Sequence, residues 1–210
     1  MAKLINMSAI ELREQILREE CDFHGIRVDS SMSVDVDLER EVRRFLVDER
    51  CDPRGPSLDF RKSELRGLDI PGWSLGAARL GGAYLDDANL SECSLFGATL
   101  DNTQLRGTNL NATYFGGCEF VNAVIIRAKT RGMKVHNCKF YRSLFQHVDP
   151  RDMLGLETNS YTDVICEPTF YAEVADDFQA NSEARPLYLL MIEHKSGYVM
   201  FSNSDKSFIK

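Results

Sequence analysis

Apolar side chains recur at every fifth position through the middle of the chain. From Phe60 to Phe145 this register contains eighteen positions, and only Thr130 among them is polar. A helix repeats its apolar face about every 3.6 residues and a strand every 2, so neither element explains the spacing. Most of the central positions are preceded, two residues earlier, by a small residue such as Ala88 or Thr108. The pattern is an internal repeat and indicates a solenoid.

The repeat resembles the pentapeptide-repeat family, whose unit reads approximately Ala-Asp/Asn-Leu-X-X. Ala88-Asn89-Leu90 and Thr108-Asn109-Leu110 match that unit closely. The resemblance covers about residues 57–148 and implies a mainly β fold, a right-handed quadrilateral β-helix of about four and a half coils. Each side of the square would hold one pentapeptide. The central residue and the small residue two before it would point inward, and the other three would point outward.

The segment before the repeat predicts a helical cap, residues 1–56. Ser8 and Glu11 form the S-x-x-E pattern of a capping box, which predicts a helix from Ser8 to about Glu20. A second amphipathic helix is predicted from about Asp37 to Asp48. Pro and Gly in residues 53–56 then separate this cap from the solenoid, because they interrupt regular structure.

The segment after the repeat, residues 149–210, predicts a small α+β domain. The period of five is lost after Asp149-Pro150. A short acidic helix is predicted over residues 168–180, followed by a β-hairpin around Lys195-Ser196-Gly197. Charge supports the division into three domains, since residues 57–148 carry a net charge of +3 while the whole chain carries −7.

An apolar cluster is predicted on the outside of the later coils. Outward positions should otherwise be polar, so such a cluster is either covered by the protein itself or offered to a partner. Coverage by the C-terminal segment is the simpler interpretation, and a partner-binding surface is the alternative. The candidate partner-binding residues are Val121, Val124, Ile126, Tyr141 and Leu144.

A run of basic residues follows the cluster and contains no acid. Wrapped around a square coil, the run would fall on all four sides and form a collar, which does not suit the groove of a nucleic acid. The collar could dock the acidic C-terminal residues Glu173, Asp176 and Asp177, or a phosphate or other acidic partner. Its members are Arg127, Lys129, Arg131, Lys134, Lys139 and Arg142.

Little in the sequence suggests catalysis. Six cysteines lie scattered without a Cys-X-X-Cys motif or a Cys/His pair at zinc spacing, so neither a metal site nor a cofactor is expected. The one enzymatic alternative is a thiol nucleophile at Cys166 activated by His194, with Asp163 nearby. No local motif supports that alternative, and no catalytic residue is assigned.

These observations predict a non-enzymatic protein–protein interaction module that acts as a scaffold, adaptor or steric inhibitor. The family resemblance adds a second hypothesis, a DNA mimic that binds gyrase or another topoisomerase. Mimicry requires anionic charge along the rod, whereas the repeat is net basic. A bacterial, cytoplasmic protein with a protein partner is expected, without direct nucleic-acid or membrane binding. Secretion as an effector and a homodimer through the C-terminal segment stay open alternatives.

Overall fold

The computed structural model describes residues 4–31, 34–48, 57–167, 172, 174–176, 188–193 and 198–204. Two helices precede the solenoid, α1 (Ala9–Leu17) and α2 (Val36–Asp48). The strands are β1 (Ile5–Ser8), β2 (Ile26–Asp29), β3 (Gln104–Arg106), β4 (Tyr114–Gly116), β5 (Glu119–Val121), β6 (Val124–Ile126), β7 (Met133–His136), β8 (Lys139–Tyr141), β9 (Leu144–Gln146), β10 (Met153–Leu154), β11 (Ser160–Thr162), β12 (Val164–Cys166), β13 (Tyr188–Glu193) and β14 (Val199–Ser204).

The middle of the chain is the predicted quadrilateral β-helix. Residues twenty apart pair in parallel, as in Gln104 with Val124 and Val124 with Leu144. Isolated bridges continue the same spacing toward the N-terminus, from Tyr84 back to Glu64. The central residues are buried, and so are the small residues two before them. The inside–outside pattern expected from the repeat is therefore confirmed.

Polar residues at the small inward position link neighbouring coils. Thr108 Oγ1 donates a hydrogen bond to the Leu85 carbonyl at 2.8 Å, and each bond of this type reaches back 23 residues. Burial raises the pKa of the Cys93 thiol to about 12, so this thiol stays neutral and can donate. The other members of the ladder are Cys93, Thr103, Thr113, Cys118, Cys138 and Ser143.

Replacing Thr108 with valine should lower the free energy of unfolding by about 1 kcal/mol, because one buried hydrogen bond is lost while side-chain volume is kept. The Leu85 carbonyl keeps a second donor, the Ala88 amide, which limits the cost. Urea denaturation measures the change. Thr99→Val is the matched control, since Thr99 points outward and should change stability little. Equal effects of the two substitutions would contradict the role of the ladder.

The coils begin earlier than residue 57. Residues 21–29 lie along two sides of an incomplete first coil, with Asp22 bridged to Asp59 and Arg27 to Glu64. The Phe23 ring stacks on Phe60 at 5.3 Å. The prediction that the stacked coils start at residue 57 is therefore wrong, because residues 21–29 pair with the coil that begins there. The physical reason is that only two pentads are present here, and the helix α2 separates them from the rest of the repeat.

The N-terminal cap closes this end of the rod. The capping box is confirmed, since Ser8 Oγ accepts from the Glu11 amide and Glu11 accepts from the Ser8 amide. Helix α1 ends at Leu17, three residues before the predicted end. Strand β1 precedes α1 and pairs in parallel with β2, an element that the sequence did not predict. Leu12 and Ile16 of α1 are fully buried and join the solenoid core.

The coils also continue past residue 148. Strands β10, β11 and β12 pair in parallel with β7, β8 and β9. The distance in sequence between paired residues is 20 at Met153 and 21 at Ser160. A short 3-10 turn over Leu156–Thr158 accommodates the extra residue. The five-residue period does end at Asp149-Pro150 in the sequence, but the coils continue beyond the end predicted at residue 148. The division into three domains remains a prediction.

The C-terminal hairpin extends one side of the rod. Strands β13 and β14 pair antiparallel, and β14 pairs antiparallel with β12. This gives a six-stranded sheet in the order β13-β14-β12-β9-β6-β3. The predicted turn at residues 195–197 lies outside the described residues. Most of the predicted helix over residues 168–180 does too, although residues 172 and 174–176 are helical.

Candidate protein-binding surface

One side of the rod carries apolar side chains on its outside over three successive coils. Val124, Leu144 and Ile165 are aligned in register on β6, β9 and β12. Each occupies the position before a buried residue, so the alternation of the strand turns it outward. Val124 and Leu144 are half-buried, and Ile165 is 40% exposed. We call Val124, Ile126, Leu144 and Ile165 the ridge face.

The structure brings the five predicted partner-binding residues together. Val124, Ile126 and Leu144 lie on the ridge face. Val121 and Tyr141 are paired in register on the adjacent corner, and both are half-buried. Sequence reasoning missed Ile165, because the extra residue near Leu156 removes it from the twenty-residue column. The run of three apolar residues Val164-Ile165-Cys166 was the remaining signal.

The C-terminal segment meets this side of the rod at its end. Strand β14 is hydrogen-bonded to the edge of β12, so the hairpin adds two strands to the sheet that carries the ridge face. The Tyr198 hydroxyl and the Gln146 side-chain amide are hydrogen-bonded, and Gln146 is paired in register with Ile126. Ile165, next to the hairpin, nevertheless keeps its exposure. Among the described residues, contact by the C-terminal segment is thus found at Gln146 and along the strand edge.

Arginines border the ridge face. The Arg142 guanidinium lies 4.8 Å from the Tyr141 ring centroid and 3.8 Å from Asp163. On the other border Arg106 and Arg127 are exposed, and neither forms an ion pair with a residue that the structure describes. The attraction between a cation and the face of an aromatic ring holds both side chains in place. Arg142 and Tyr141 therefore form an ordered corner of the surface.

The basic collar is exposed but not uniform. Lys139 Nζ lies 2.9 Å from Glu119, whose hydrogen bond raises the pKa of that lysine, and Arg142 pairs with Asp163. Arg127, Lys129, Arg131 and Lys134 are exposed and have no ion pair among the described parts of the chain. Of the acids expected to dock here, Asp176 is exposed, while Glu173 and Asp177 lie outside the described residues.

The outer charges elsewhere alternate in sign. Arg66 pairs with Asp86 one coil away at 3.2 Å, and Arg79 approaches Asp59 at 3.9 Å. The hydrogen bond from Arg61 holds the pKa of Asp59 below its usual value. Such pairs neutralise one another on a solvated surface. The described columns therefore lack the continuous anionic charge that a DNA mimic requires.

The enzymatic alternative gains no support from the structure. Cys166 is fully buried on β12, so its thiol is not accessible to a substrate. Asp163 is turned toward Arg142, and His194 lies outside the described residues. The described part of the chain holds no group of three or more His, Cys, Asp or Glu side chains that could bind a metal ion. In the same part no helix is long and apolar enough to cross a membrane.

Comparison with known families identifies the central coils. The model for pentapeptide repeats matches residues 74–111 in eight copies. These residues are pentapeptide repeats. The match covers the most regular coils, and the strand pairing extends the same architecture on both sides of them. A pentapeptide-repeat rod fits a protein-binding module. A search of curated protein sequences gives no match.

Several solved pentapeptide-repeat structures are similar to this chain. A pentapeptide repeat protein of the Arabidopsis thaliana thylakoid lumen is 20% identical, with 42% of this chain and 62% of that protein covered and a TM-score of 0.27. QnrB1, a plasmid-mediated fluoroquinolone resistance protein, is 14% identical over 58% and 87%, with a TM-score of 0.25. Rfr23 from the cyanobacterium Cyanothece 51142 is 15% identical over 60% and 93%, with a TM-score of 0.20.

Proposed function

We propose that this protein is a non-enzymatic interaction module whose rigid pentapeptide-repeat rod presents the ridge face to a protein partner. The observation that carries the proposal is the register of Val124, Leu144 and Ile165, which places three branched apolar side chains outward on successive coils. Strand-like stacking separates them by about 4.8 Å each, so together they form a continuous apolar strip. Isolated apolar side chains on a surface are ordinary, whereas a continuous strip marks an interface.

The rod suits this role because its backbone is preorganised. Every coil is hydrogen-bonded to the next, and the ladder of inward hydroxyl and thiol groups adds a second set of bonds. A partner that docks on the strip therefore does not have to order a loop, which removes one entropic cost of binding. The action would be steric, in which the rod occupies a partner's surface as a scaffold, adaptor or inhibitor.

Gyrase mimicry is not the function that the surface supports best. A mimic of the duplex would need anionic groups repeated along the rod at phosphate-like spacing. The columns that include Arg66 with Asp86, and Lys139 with Glu119, alternate instead. The residues of the ridge face are all apolar, so they add no anionic group to the rod.

Ile126→Asp should strongly weaken capture of the ridge-face partner, since a carboxylate in an apolar contact must be desolvated, a cost that the in-register neighbour Arg106 offsets only in part. Loss of a central apolar contact typically costs about 2 kcal/mol or more, about a thirtyfold fall in affinity. The measurement is a tagged pull-down from nuclease-treated lysate of the source cell, with quantitative mass spectrometry, followed by titration of the purified partner.

Asn111→Asp is the matched control, because it adds the same charge on the next corner of the square, outside the ridge face, and keeps the oxygen that accepts the Arg131 amide. Circular dichroism and thermal unfolding must show that both variants are folded. A stoichiometric partner lost with Ile126→Asp and kept with Asn111→Asp supports the proposal. If folded Ile126→Asp and folded Leu144→Asp both retain the partner, the partner does not bind to the ridge face. A topoisomerase eluted by duplex DNA would instead support mimicry.

A further inference from the structure

A second unusual surface lies on the opposite side of the rod. The chain passes from β3 through the bridge at Asn109 to β4, which is two pentads and therefore two sides of the square away. This opposite side carries Phe96, Tyr114, Lys134 and His136, which we call the aromatic face. Phe96 is 59% exposed, more than any residue of the ridge face. Phe96 is not an isolated apolar side chain, because two further rings lie on the same side of the rod.

A glycine leaves room for two of the aromatic rings. A Cβ atom added to Gly116 would lie 2.9 Å from Phe96 Cδ2 and 2.4 Å from the Tyr114 hydroxyl oxygen. Gly116 is itself buried, so the two side chains lie over its backbone. The His136 ring follows at 6.2 Å from the Tyr114 ring. The three rings thus form a row across successive coils, and Leu154, 51% exposed, continues the apolar surface on β10.

Positive charge accompanies the rings on this side of the rod. Lys134 is paired in register with Tyr114, and Arg131 precedes it at the corner. Both are exposed, and neither forms an ion pair with a described residue. Residues 94–97, 114–117 and 134–137 of this side contain no Asp or Glu, and on the last coil Asp152 and Glu157 flank β10. Elsewhere on the rod, cations such as Lys139 and Arg66 pair with acids on adjacent coils.

We propose that the aromatic face binds an acidic segment of a protein partner, with an apolar or aromatic side chain of that segment seated against Phe96 and its carboxylates on Lys134 and Arg131. Exposed aromatic rings and arginine are the side chains that contribute most to protein–protein binding, and unpaired cations select an anionic partner. This surface is separate from the ridge face, so the proposal does not depend on the partner proposed above. With both surfaces in use, the rod would hold two partners on opposite sides.

A protein segment fits the charge better than a nucleic acid does. The whole chain carries a net charge of −7, so a long polyanion that extends beyond this side meets a net repulsion from the rest of the protein. A short acidic segment carries only a few charges and meets only the local cations. The charge on this side is also limited to one coil, whereas a single strand of nucleic acid is usually bound by a positive groove along its backbone.

The test is a binding titration with defined probes on the full-length protein. Three fluorescein-labelled peptides with one central Trp are compared, with flanking residues that are all Glu, all Lys or all Ser, together with labelled oligo-dT. Fluorescence anisotropy is recorded at about 50 mM and about 300 mM salt, since screening should weaken charged contacts. We expect the Glu peptide to bind at least tenfold more tightly than the others, and the preference to diminish at the higher salt.

Two pairs of variants locate the site. Phe96→Ser and Lys134→Glu should each weaken binding of the Glu peptide at least tenfold. Val47→Ser and Lys62→Glu, at exposed positions elsewhere, should leave it within twofold. Equal binding of the Glu and Lys peptides, or equal effects of the test and control variants, would overturn the proposal. So would tighter binding of oligo-dT than of the Glu peptide, which would assign the face to nucleic acid. Ile126→Asp should not change this binding.

Discussion

Glu39→Gln is expected to lower the free energy of unfolding by about 3 kcal/mol, because it leaves a buried guanidinium without its counter-charge. The Arg13 side chain is 2% exposed and its Nε lies 2.7 Å from Glu39 Oε2. The other oxygen of Glu39 accepts from Trp73 Nε1 at 2.7 Å and from Arg43 at 3.1 Å. A neutral amide can accept from some of these donors, but its own NH2 group faces the others.

This carboxylate joins both helices to the first full coil. Arg13 belongs to α1, Glu39 to α2 and Trp73 to the solenoid, and Arg13 also donates to the Asp69 carbonyl. Its loss should therefore loosen the N-terminal cap as a unit. Trp73 is the only tryptophan of the chain, and the Arg13 guanidinium lies 5.3 Å from its ring centroid. Tryptophan emission should accordingly shift to the red at urea concentrations where the wild type is still folded.

A double-mutant cycle separates the ion pair from general damage. Arg13→Met removes the buried charge, so Glu39→Gln in the Arg13→Met background should cost clearly less than in the wild type. Arg40→Gln is the surface control, since the Arg40 pair with Asp37 is exposed and such pairs contribute little. Additive effects of Arg13→Met and Glu39→Gln would show that the two side chains are not energetically coupled.

Phe140→Ala should lower the free energy of unfolding by about 3 to 5 kcal/mol, the usual cost of removing a fully buried ring. Phe140 stacks on Phe120 at 4.7 Å and on Tyr161 at 5.4 Å, and its ring meets Phe145 edge-on at 5.3 Å. The loss removes apolar burial and three aromatic contacts at once. Urea denaturation followed by circular dichroism gives the change.

The damage should be greatest toward the C-terminal end. In a solenoid each coil is stabilised mainly by its neighbours, so a cavity at Phe140 weakens the interface with the last coil. Hydrogen exchange should show that β11 loses more protection than β3. Phe140→Leu keeps most of the volume and should cost less than about 1.5 kcal/mol. Phe96→Ala removes the same ring from the surface and should cost little. Similar losses for Phe140→Ala and Phe96→Ala would contradict the assignment of the aromatic core.

The regular coils could be predicted because every pentapeptide meets the same restriction. The inside of a square coil has room for one large and one small side chain on each side, so the sequence repeats that pair every five residues. The capping box at Ser8 and Glu11 could also be predicted, because it depends only on residues that are close in sequence. The outward direction of Val124, Ile126 and Leu144 followed directly from the register.

The ends of the rod could not be predicted from the register. Residues 21–29 form only two pentads, and their pairing with residues 59–64 depends on the path of the chain through α2. At the other end, one extra residue near Leu156 changes the phase, so Ile165 joined the ridge face without a sequence signal at the expected position. Asn159 shows how the fold accommodates the change, since its side chain accepts the Cys138 amide and donates to the Val135 carbonyl.

The sequence by itself determined the repeat, its inward and outward positions and the apolar character of the later coils, because these depend on local spacing and side-chain size. Only the tertiary structure decided which side chains from different coils lie together. Ile165 joins Leu144 across 21 residues, and Phe96 meets Tyr114 over Gly116 because stacking brings successive coils to within about 5 Å. The two candidate surfaces and the buried Arg13–Glu39 pair arise from contacts between distant residues, which a local pattern does not encode.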